Sequence, residues 1–186
     1  MDEQRGIIEE LTADHRRIQR LVDRIRSTAS DGEERTALVE QVSMALVRHS
    51  VAEKRHLYPV VRRFVTGGEG WADRDLAEER LTEQALEALE FGEPGSEEYG
   101  GLLLSVVTRA TDHVVRQEQL LFPRLQSMCP ADTLRDLGPE VRPTEAAAPT
   151  RPRPPAPQSP PLVKLTSRMW GPLDRLRDIL TRRGRR

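Results

Sequence analysis

Apolar residues recur at three- and four-residue intervals over most of the first 128 residues, which is the period of one helix face. The pattern falls into four segments. The first ends at the Ser-Asp-Gly sequence of residues 30–32, and the others cover about 34–66, about 73–91 and about 99–128. No segment alternates between apolar and polar residues as a strand would. Four such helices with short connections predict an all-α protein, an antiparallel up-down-up-down four-helix bundle.

The sequence changes character beyond residue 130, and it divides the chain into three predicted parts. Residues 1–130 form the bundle, residues 131–161 form a Pro-rich linker without a core, and residues 162–186 form a short basic amphipathic segment. Dense proline removes backbone donors and favours extended polyproline geometry, which predicts a semi-rigid spacer. A short C-terminal helix is predicted to begin at Pro172, because proline suits the first turn of a helix.

Polar residues that can bind a metal lie within the apolar stripes of the predicted helices. All four histidines of the chain do so, namely His15, His49, His56 and His113. About one third of helix positions face a core, so chance would place all four there roughly once in 80 cases. Three carboxylates share these stripes, namely Glu53, Glu79 and Glu83. Burying several unpaired carboxylates costs several kcal/mol each, and a bound cation removes that cost. Nitrogen and carboxylate oxygen together suit iron or another first-row metal, so the pattern predicts a metal site inside the bundle.

Two stretches of the chain repeat one pattern: HSVAEKRHLYPVV at 49–61 and HVVRQEQLLFPRL at 113–125 align without a gap. Each begins with a histidine and has an aromatic residue nine positions later and a proline at ten. The resulting pairs are Tyr58–Pro59 and Phe122–Pro123. A proline inside a helix removes a backbone hydrogen bond and kinks the helix, at a cost of ~3 kcal/mol. The shared offset predicts that both kinks shape the end of the bundle beneath one site.

Charge is distributed unevenly along the chain. Residues 151–186 contain ten Arg or Lys and two Asp, a formal charge of +8, so the overall charge of −1 leaves −9 on residues 1–150. We expect the basic segment to pack on the acidic bundle, within the chain or across a homodimer. No nucleic-acid-binding motif is visible, and no nucleic-acid partner is expected.

The chain has the features of a cytoplasmic protein. Cys129 is its only cysteine, so no internal disulfide can form. The first residues are charged and lack the apolar region of a secretion signal. No apolar run approaches the roughly 18 residues that span a bilayer, so no transmembrane segment is expected.

The chain resembles bacterial hemerythrin-like proteins, also called HHE cation-binding domain proteins. Four stretches are similar to the helices of that family, in order: DHRRIQRLVDRI, VRHSVAEKRHLYPVV, DLAEERLTEQALEALE and TDHVVRQEQLLFPRL. The resemblance implies a non-haem di-iron site inside the bundle, with a single iron or another divalent metal as alternatives. The family's ligand positions correspond to His15, His49, Glu53, Glu83 and His113.

Two positions depart from the family pattern. Glu79 stands where the family has a histidine ligand, and it is kept in the predicted set because carboxylate oxygen binds hard cations well. The family has a carboxylate four or five residues after the last histidine; here the fourth residue is Gln117 and the fifth is Glu118. On an ideal helix Glu118 points about 140° away from His113, so its participation as a ligand requires a local distortion. The predicted set is richer in oxygen than the family's, which favours ferric iron.

Three further residues are predicted to support or extend this ligand set, namely His56, Gln117 and Tyr58. His56 lies close after Glu53 on the same stripe, where the family often has tyrosine. Three roles are open for it: a hydrogen-bonding partner of a ligand, an additional ligand, or a packing residue.

Two functions remain open on the sequence alone. The first is a non-haem iron protein that binds or responds to O2, NO or peroxide, in sensing, in a stress response or in iron handling. The second is a metal-free bundle that acts as an interaction or regulatory module, which the substitutions at Glu79 and Gln117 favour. No residue is assigned a catalytic role, and weak peroxide removal or oxidase activity at the metal is a further alternative.

Overall fold

The computed structural model describes residues 5–28 and 32–152, and the described residues form helices joined by short turns, with no strand among them. The helices are α1 (Ile7–Ser27), α2 (Glu33–Ala52), α3 (Tyr58–Phe64), α4 (Gly68–Phe91), α5 (Glu97–Arg116), α6 (Phe122–Met128) and α7 (Ala131–Ala147). The all-α helical bundle predicted from the sequence is confirmed. None of the described helices is both long and apolar enough to cross a bilayer.

Two π-helical turns interrupt the longest helical stretches. One covers Glu53–Leu57 and joins α2 to α3, and the other covers Gln117–Leu121 and joins α5 to α6. In each, a backbone N–H reaches back five residues: Tyr58 donates to the carbonyl of Glu53, and Phe122 donates to that of Gln117. The proline follows directly, at the start of the next helix. A proline ring clashes with the carbonyl four residues earlier, and the wider turn accommodates that conflict.

The core is divided into two apolar clusters by a layer of polar residues. On α1, Leu11 belongs to one cluster and Ile18 to the other, with Asp14 and His15 between them. Each of the other long helices likewise passes from one cluster to the other through buried polar residues. The buried polar residues between the two clusters include His49, Glu53, Glu79, Glu83 and Gln117. Because every long helix contributes to this layer at one height, the layer brings residues distant in sequence together.

The third predicted helix begins earlier than expected, at Gly68 rather than near residue 73. Gly67 has a φ of 72°, in the left-handed region that favours glycine. A Cβ on Gly68 would lie 2.1 Å from the carbonyl oxygen of Val61, so only glycine allows α4 to begin against the end of α3. Two glycines with different roles therefore build a tight turn where the sequence indicated only a helix break.

The predicted linker over 131–161 is wrong for residues 131–147, which form helix α7 and pack against α1 and α2. The prolines inside α7, Pro139 and Pro143, both lie on its exposed face. Its opposite face is buried at positions three or four apart, namely Leu134, Gly138, Val141, Glu145 and Ala148. Burial of that face outweighs the cost of the prolines. The remainder of the predicted linker from residue 153, and the predicted C-terminal basic helix over 162–186, lie outside the described residues.

Close backbone contact and one cation fix α7 in place. A Cβ on Gly138 would lie 1.9 Å from the carbonyl oxygen of Arg5, so α7 touches the beginning of the chain at that glycine. Arg142 pairs with Glu10 at 2.7 Å, with Asp14 at 2.6 Å and with Glu145 at 2.8 Å. Because α2 continues into α3 and α5 into α6, the described residues form five helical rods, and α7 lies against α1 and α2 beside the polar layer.

Candidate metal centre

Four side chains from four elements converge in the polar layer. They are His15 of α1, His49 of α2, Glu53 of the first π-helical turn and His113 of α5, and we call them the histidine cluster. One ligand atom from each lies within 4.8 Å of the others. His15, His49 and Glu53 are almost completely buried, and His113 is nearly so.

The distances within the histidine cluster are those of atoms that share one metal ion. His15 Nε2 lies 3.2 Å from His49 Nε2, and Glu53 Oε2 lies 3.4 Å from His49 Nε2 and 3.3 Å from His113 Nε2. Ligands bound at about 2.1 Å in tetrahedral geometry lie about 3.4 Å apart. The four groups therefore surround a point that one cation can occupy.

Three buried atoms of the histidine cluster have no hydrogen-bond partner. They are His49 Nδ1, Glu53 Oε1 and His113 Nε2, of which the last is near Glu53 Oε2 but does not point at it in hydrogen-bonding geometry. Leaving a buried charged group unsatisfied costs about 3 kcal/mol or more. A metal ion bound by the cluster would pair with His113 Nε2 and with the Glu53 carboxylate, so the residues present fit a metal centre.

Electrostatics inside the histidine cluster depend on Glu53. Burial would raise the pKa of Glu53, but His49 and His113 hold it well below its usual range. Burial would lower the pKa of His49, but Glu53, Asp14 and Glu145 raise it to about 9. The pKa of His113 is raised for the same reason, mainly by Glu53 against the effect of burial. Without metal the cluster therefore holds protons that a metal must displace.

His15 differs from the other two histidines because its outer nitrogen is held by a carboxylate. Glu118 Oε1 lies 2.8 Å from His15 Nδ1, and the ring stacks parallel to Phe122 with centroids 5.7 Å apart. Burial, together with His49 and His113, holds the pKa of His15 well below its usual range, so this ring is neutral. A hydrogen bond to the outer nitrogen of a ligating histidine fixes the tautomer and points the other nitrogen at the metal. The structure thus brings Glu118 to the back of His15.

A second pair of carboxylates lies on the other side of His49. Asp14, His49 and Glu145 each place one potential ligand atom within 4.8 Å of the others. The buried atoms without a hydrogen-bond partner include Asp14 Oδ2, His49 Nδ1 and Glu145 Oε1. Arg142 occupies the other oxygen of each carboxylate. Burial and the neighbouring Asp14 raise the pKa of Glu145 to about 7. Asp14 and Glu145 therefore lie beside His49, and both help to raise its pKa.

Glu79 and Glu83 belong to a separate group built around Lys54. Its ammonium lies 2.7 Å from Glu83 Oε1 and 3.3 Å from Glu79 Oε2. Ser50 and Tyr58 also donate hydrogen bonds to Glu79, and Tyr58 OH lies 3.4 Å from Glu53 Oε2. We call Lys54, Glu79, Glu83, Ser50 and Tyr58 the lysine cluster. Burial raises the pKa of Glu79 to about 7, although Lys54 opposes that shift.

The remaining predicted site residues face other partners. Gln117 is completely buried and donates from Nε2 to Asp75 Oδ2 at 3.3 Å. His56 Nε2 lies 2.8 Å from the hydroxyl of Thr144 on α7, and burial lowers its pKa to about 4. The structure brings His15, His49, Glu53 and His113 together and places Glu79 and Glu83 in the adjoining lysine cluster; ligation of a metal by any of these residues stays a prediction.

A small cavity of about 30 Å³ adjoins the histidine cluster between α2, α4 and α5. Its lining includes His49, Glu53 and His113, and the apolar side chains of Leu46 and Leu86. A space of this size holds molecules about as large as one or two waters. The cavity therefore gives a small ligand access to a metal held by the cluster.

Sequence reasoning missed three charged residues that shape the site, namely Asp14, Lys54 and Glu145. Asp14 directly precedes the predicted ligand His15. Lys54, one of two lysines in the chain, directly follows the predicted ligand Glu53. Lys54 is off the stripe that holds His49 and Glu53, whereas Asp14 is three residues after Leu11 and four before Ile18, a spacing that was the available signal. Glu145 lay within the predicted linker, and its spacing from Leu134, Gly138 and Val141 was the available signal.

Comparisons with known proteins agree with this geometry. The sequence profile of the Hemerythrin HHE cation binding domain matches residues 6–126. The chain is also similar to an uncharacterized hemerythrin-like protein of Schizosaccharomyces pombe, with 27% identity over 169 residues that cover 90% of this chain and 82% of the relative. The comparison with solved structures found no match.

Proposed function

The chain belongs to the hemerythrin HHE cation-binding family, and from that premise we propose that it is a non-haem iron protein that binds or responds to O2, NO or peroxide. The metal is held by the histidine cluster. Three imidazole nitrogens and one carboxylate oxygen suit ferrous or ferric iron, and such sites leave coordination positions open for a small ligand.

The observation that carries this proposal is the cavity beside the cluster. It borders three of the four proposed ligands and has a volume of about 30 Å³, so its size matches a diatomic molecule or peroxide rather than an organic substrate. Leu46, Leu86 and Ala110 give it an apolar wall, which suits an uncharged ligand such as O2 or NO.

The protein's own residues position the metal and control what reaches it. His15, His49, Glu53 and His113 bind it, and Glu118 orients His15 from behind. Arg109 and Glu78 also line the cavity and form a partly exposed ion pair with a separation of 2.6 Å. No residue of the described cavity lining is assigned to proton transfer or nucleophilic attack, so the proposed role is binding, sensing or iron handling rather than catalysis.

A metal-free interaction module is the second candidate function. The lysine cluster favours it, because Lys54 already neutralises carboxylates that would otherwise call for a cation. The unpartnered atoms of Glu53 and His113 favour the iron protein. The two functions differ in one measurable property, the retention of iron.

Anaerobic loading with ferrous iron, followed by desalting, tests the proposal. We expect retained iron, a higher melting temperature and a new optical absorption when NO is added. His49→Ala should abolish all three. His56→Ala is the matched control, since it removes a buried histidine that faces α7 instead of the cluster. A wild-type chain that retains no iron and melts at the same temperature with and without it would support the metal-free module.

A further inference from the structure

The lysine cluster contains a cation of its own. Lys54 extends from the first π-helical turn toward α4, where its ammonium contacts both Glu83 and Glu79. The side chain is 5% exposed, so the ammonium is enclosed by protein instead of reaching solvent. A positive charge is therefore built into the position between the two carboxylates of α4.

The carboxylates of the lysine cluster are also satisfied by hydrogen bonds. Tyr58 donates to Glu79 Oε1 and Ser50 donates to Glu79 Oε2, while Ser50 also reaches Glu83 Oε1 at 3.3 Å. Within the described residues, the buried polar atoms that lack a partner include atoms of Glu53 and His113 but none of the lysine cluster. The two clusters adjoin each other, and only the histidine cluster has atoms that need a further partner.

The formal charges of the two clusters also favour a metal ion at the histidine cluster and not at the lysine cluster. The lysine cluster has two carboxylates and one ammonium, and the histidine cluster has one carboxylate and three imidazoles. One divalent ion on neutral imidazoles brings the sum of both clusters to zero. A second divalent ion would have to enter beside the Lys54 ammonium, against its charge.

We propose that Lys54 takes the place of a second metal ion, so that the chain binds one metal ion, at the histidine cluster, instead of two. This inference rests on the proposed function and narrows it to a mononuclear centre. Glu79 and Glu83 then hold Lys54, and through Ser50 and Tyr58 they brace the turn that carries Glu53. The opposite arrangement, in which Lys54 moves away and the α4 carboxylates bind a second ion, predicts a different stoichiometry.

Metal titration of the full chain distinguishes the two arrangements. Ferrous iron, and in a parallel series cobalt(II), is added anaerobically, and the bound metal per chain is measured after desalting. We expect one ion per wild-type chain. In Lys54→Met the carboxylates lose their cation, and we expect two ions per chain. Arg62→Met is the matched control: it removes a cation that pairs with two other carboxylates of α4, Glu69 and Asp73, outside the lysine cluster and away from the cavity, and it should stay at one ion.

The outcomes separate this inference from the proposed function. Two ions per wild-type chain would overturn the inference and leave the proposed function intact, and one ion in Lys54→Met would overturn it as well. No bound ion in the wild-type chain would contradict the proposed function itself. If Lys54→Met does not fold, Lys54→Gln replaces it, and the EPR spectrum of the oxidised wild-type protein decides. We expect the signal of an isolated ferric ion, whereas an EPR-silent coupled pair would overturn the inference.

Discussion

The two π-helical turns of this protein have the same backbone conformation but carry different side chains at equivalent positions. Each follows a residue of the histidine cluster (His49 or His113), contains one extra residue in its turn, and is followed by an aromatic residue and a proline. The residue four positions after the histidine is completely buried in both, but it is Glu53 in the first turn and Gln117 in the second. The scaffold is therefore repeated while the side chains that it presents are not.

The difference extends to the next position. In the first turn the residue five positions after the histidine is Lys54, which enters the lysine cluster; in the second it is Glu118, which reaches His15 from behind. A wide turn brings two consecutive residues toward the interior, so each turn has two positions to use. The first turn therefore supplies a proposed ligand, Glu53, and a competing cation, while the second supports a proposed ligand from another helix, His15.

Replacing Glu53, which follows His49 by four positions, should have the largest effect. In Glu53→Gln the cluster loses its only carboxylate and its charge complement for the metal, and we expect metal affinity to fall by roughly 100-fold or more. Competition with a chelator measures this. Gln117→Ala is the matched variant in the second turn and should leave affinity unchanged, because Gln117 faces Asp75. Equal losses of metal affinity in the two variants would contradict the proposed difference between the two turns.

Introducing a carboxylate at the same position of the second turn should destabilise the protein. From the sequence, Gln117→Glu looks like the repair of a lost ligand. In the structure, the new carboxylate would face buried Asp75 in place of the amide that donates to it, and we expect a loss of about 2 kcal/mol in the free energy of unfolding. Denaturant titration measures it, with exposed Gln119→Glu as the control. Tighter metal binding by Gln117→Glu at unchanged stability would show that the second turn can supply a ligand.

Removing the side chain of Glu118, which follows His113 by five positions, should weaken metal binding without removing a proposed ligand. In Glu118→Ala the ring of His15 loses the partner of its outer nitrogen, and we expect roughly a tenfold drop in affinity. Glu118→Gln keeps an oxygen acceptor and should recover part of the loss, as measured by the same competition assay. A loss as large as that of Glu53→Gln would mean that Glu118 binds the metal itself.

Metal affinity should also depend on pH. The pKa of His49 is raised to about 9 without metal, so below that pH a proton competes with the metal, and affinity should fall by up to about tenfold per pH unit. The stability of the metal-free protein depends on pH in the opposite direction. The stability that protonated His49 contributes is fully present below its unfolded pKa of about 6.5 and is lost as the pH rises to 9.

Melting temperatures with and without metal between pH 6.5 and 9 measure both parts of this prediction. The increase in melting temperature on metal binding should become larger as the pH rises. His56→Ala should show the same slope, because the pKa of His56 is lowered to about 4 and this residue stays neutral over the range. An affinity that does not change with pH would contradict a proton on the cluster.

The helical period of the sequence was enough to predict the bundle but not all of its helices. Apolar residues mark the buried faces of the long helices, and the repeated histidine-to-proline spacing marked both turns. Helix α7 was missed because its prolines suggested an extended chain, whereas they lie on its exposed face and its buried face includes Gly138 and Glu145. A stripe that contains glycine and glutamate is not recognisable as apolar.

The histidine cluster could be anticipated for a similar reason, and the lysine cluster could not. A stripe shows which residues face inward, so His15, His49, Glu53 and His113 were expected to lie near one another. It does not show which inward residues pair across the bundle, and it placed Lys54 off the buried face. The π-helical turn changes that, because it buries Glu53 and Lys54 together. The sequence predicted the carboxylates of α4 but not the cation that holds them.

Anomalous diffraction from crystals of the iron-loaded protein, measured at the iron edge, locates the bound metal. We expect a single peak surrounded by His15, His49, Glu53 and His113, with Lys54 still between Glu79 and Glu83. A peak between Glu79 and Glu83, with Lys54 displaced, would contradict a single metal ion at the histidine cluster.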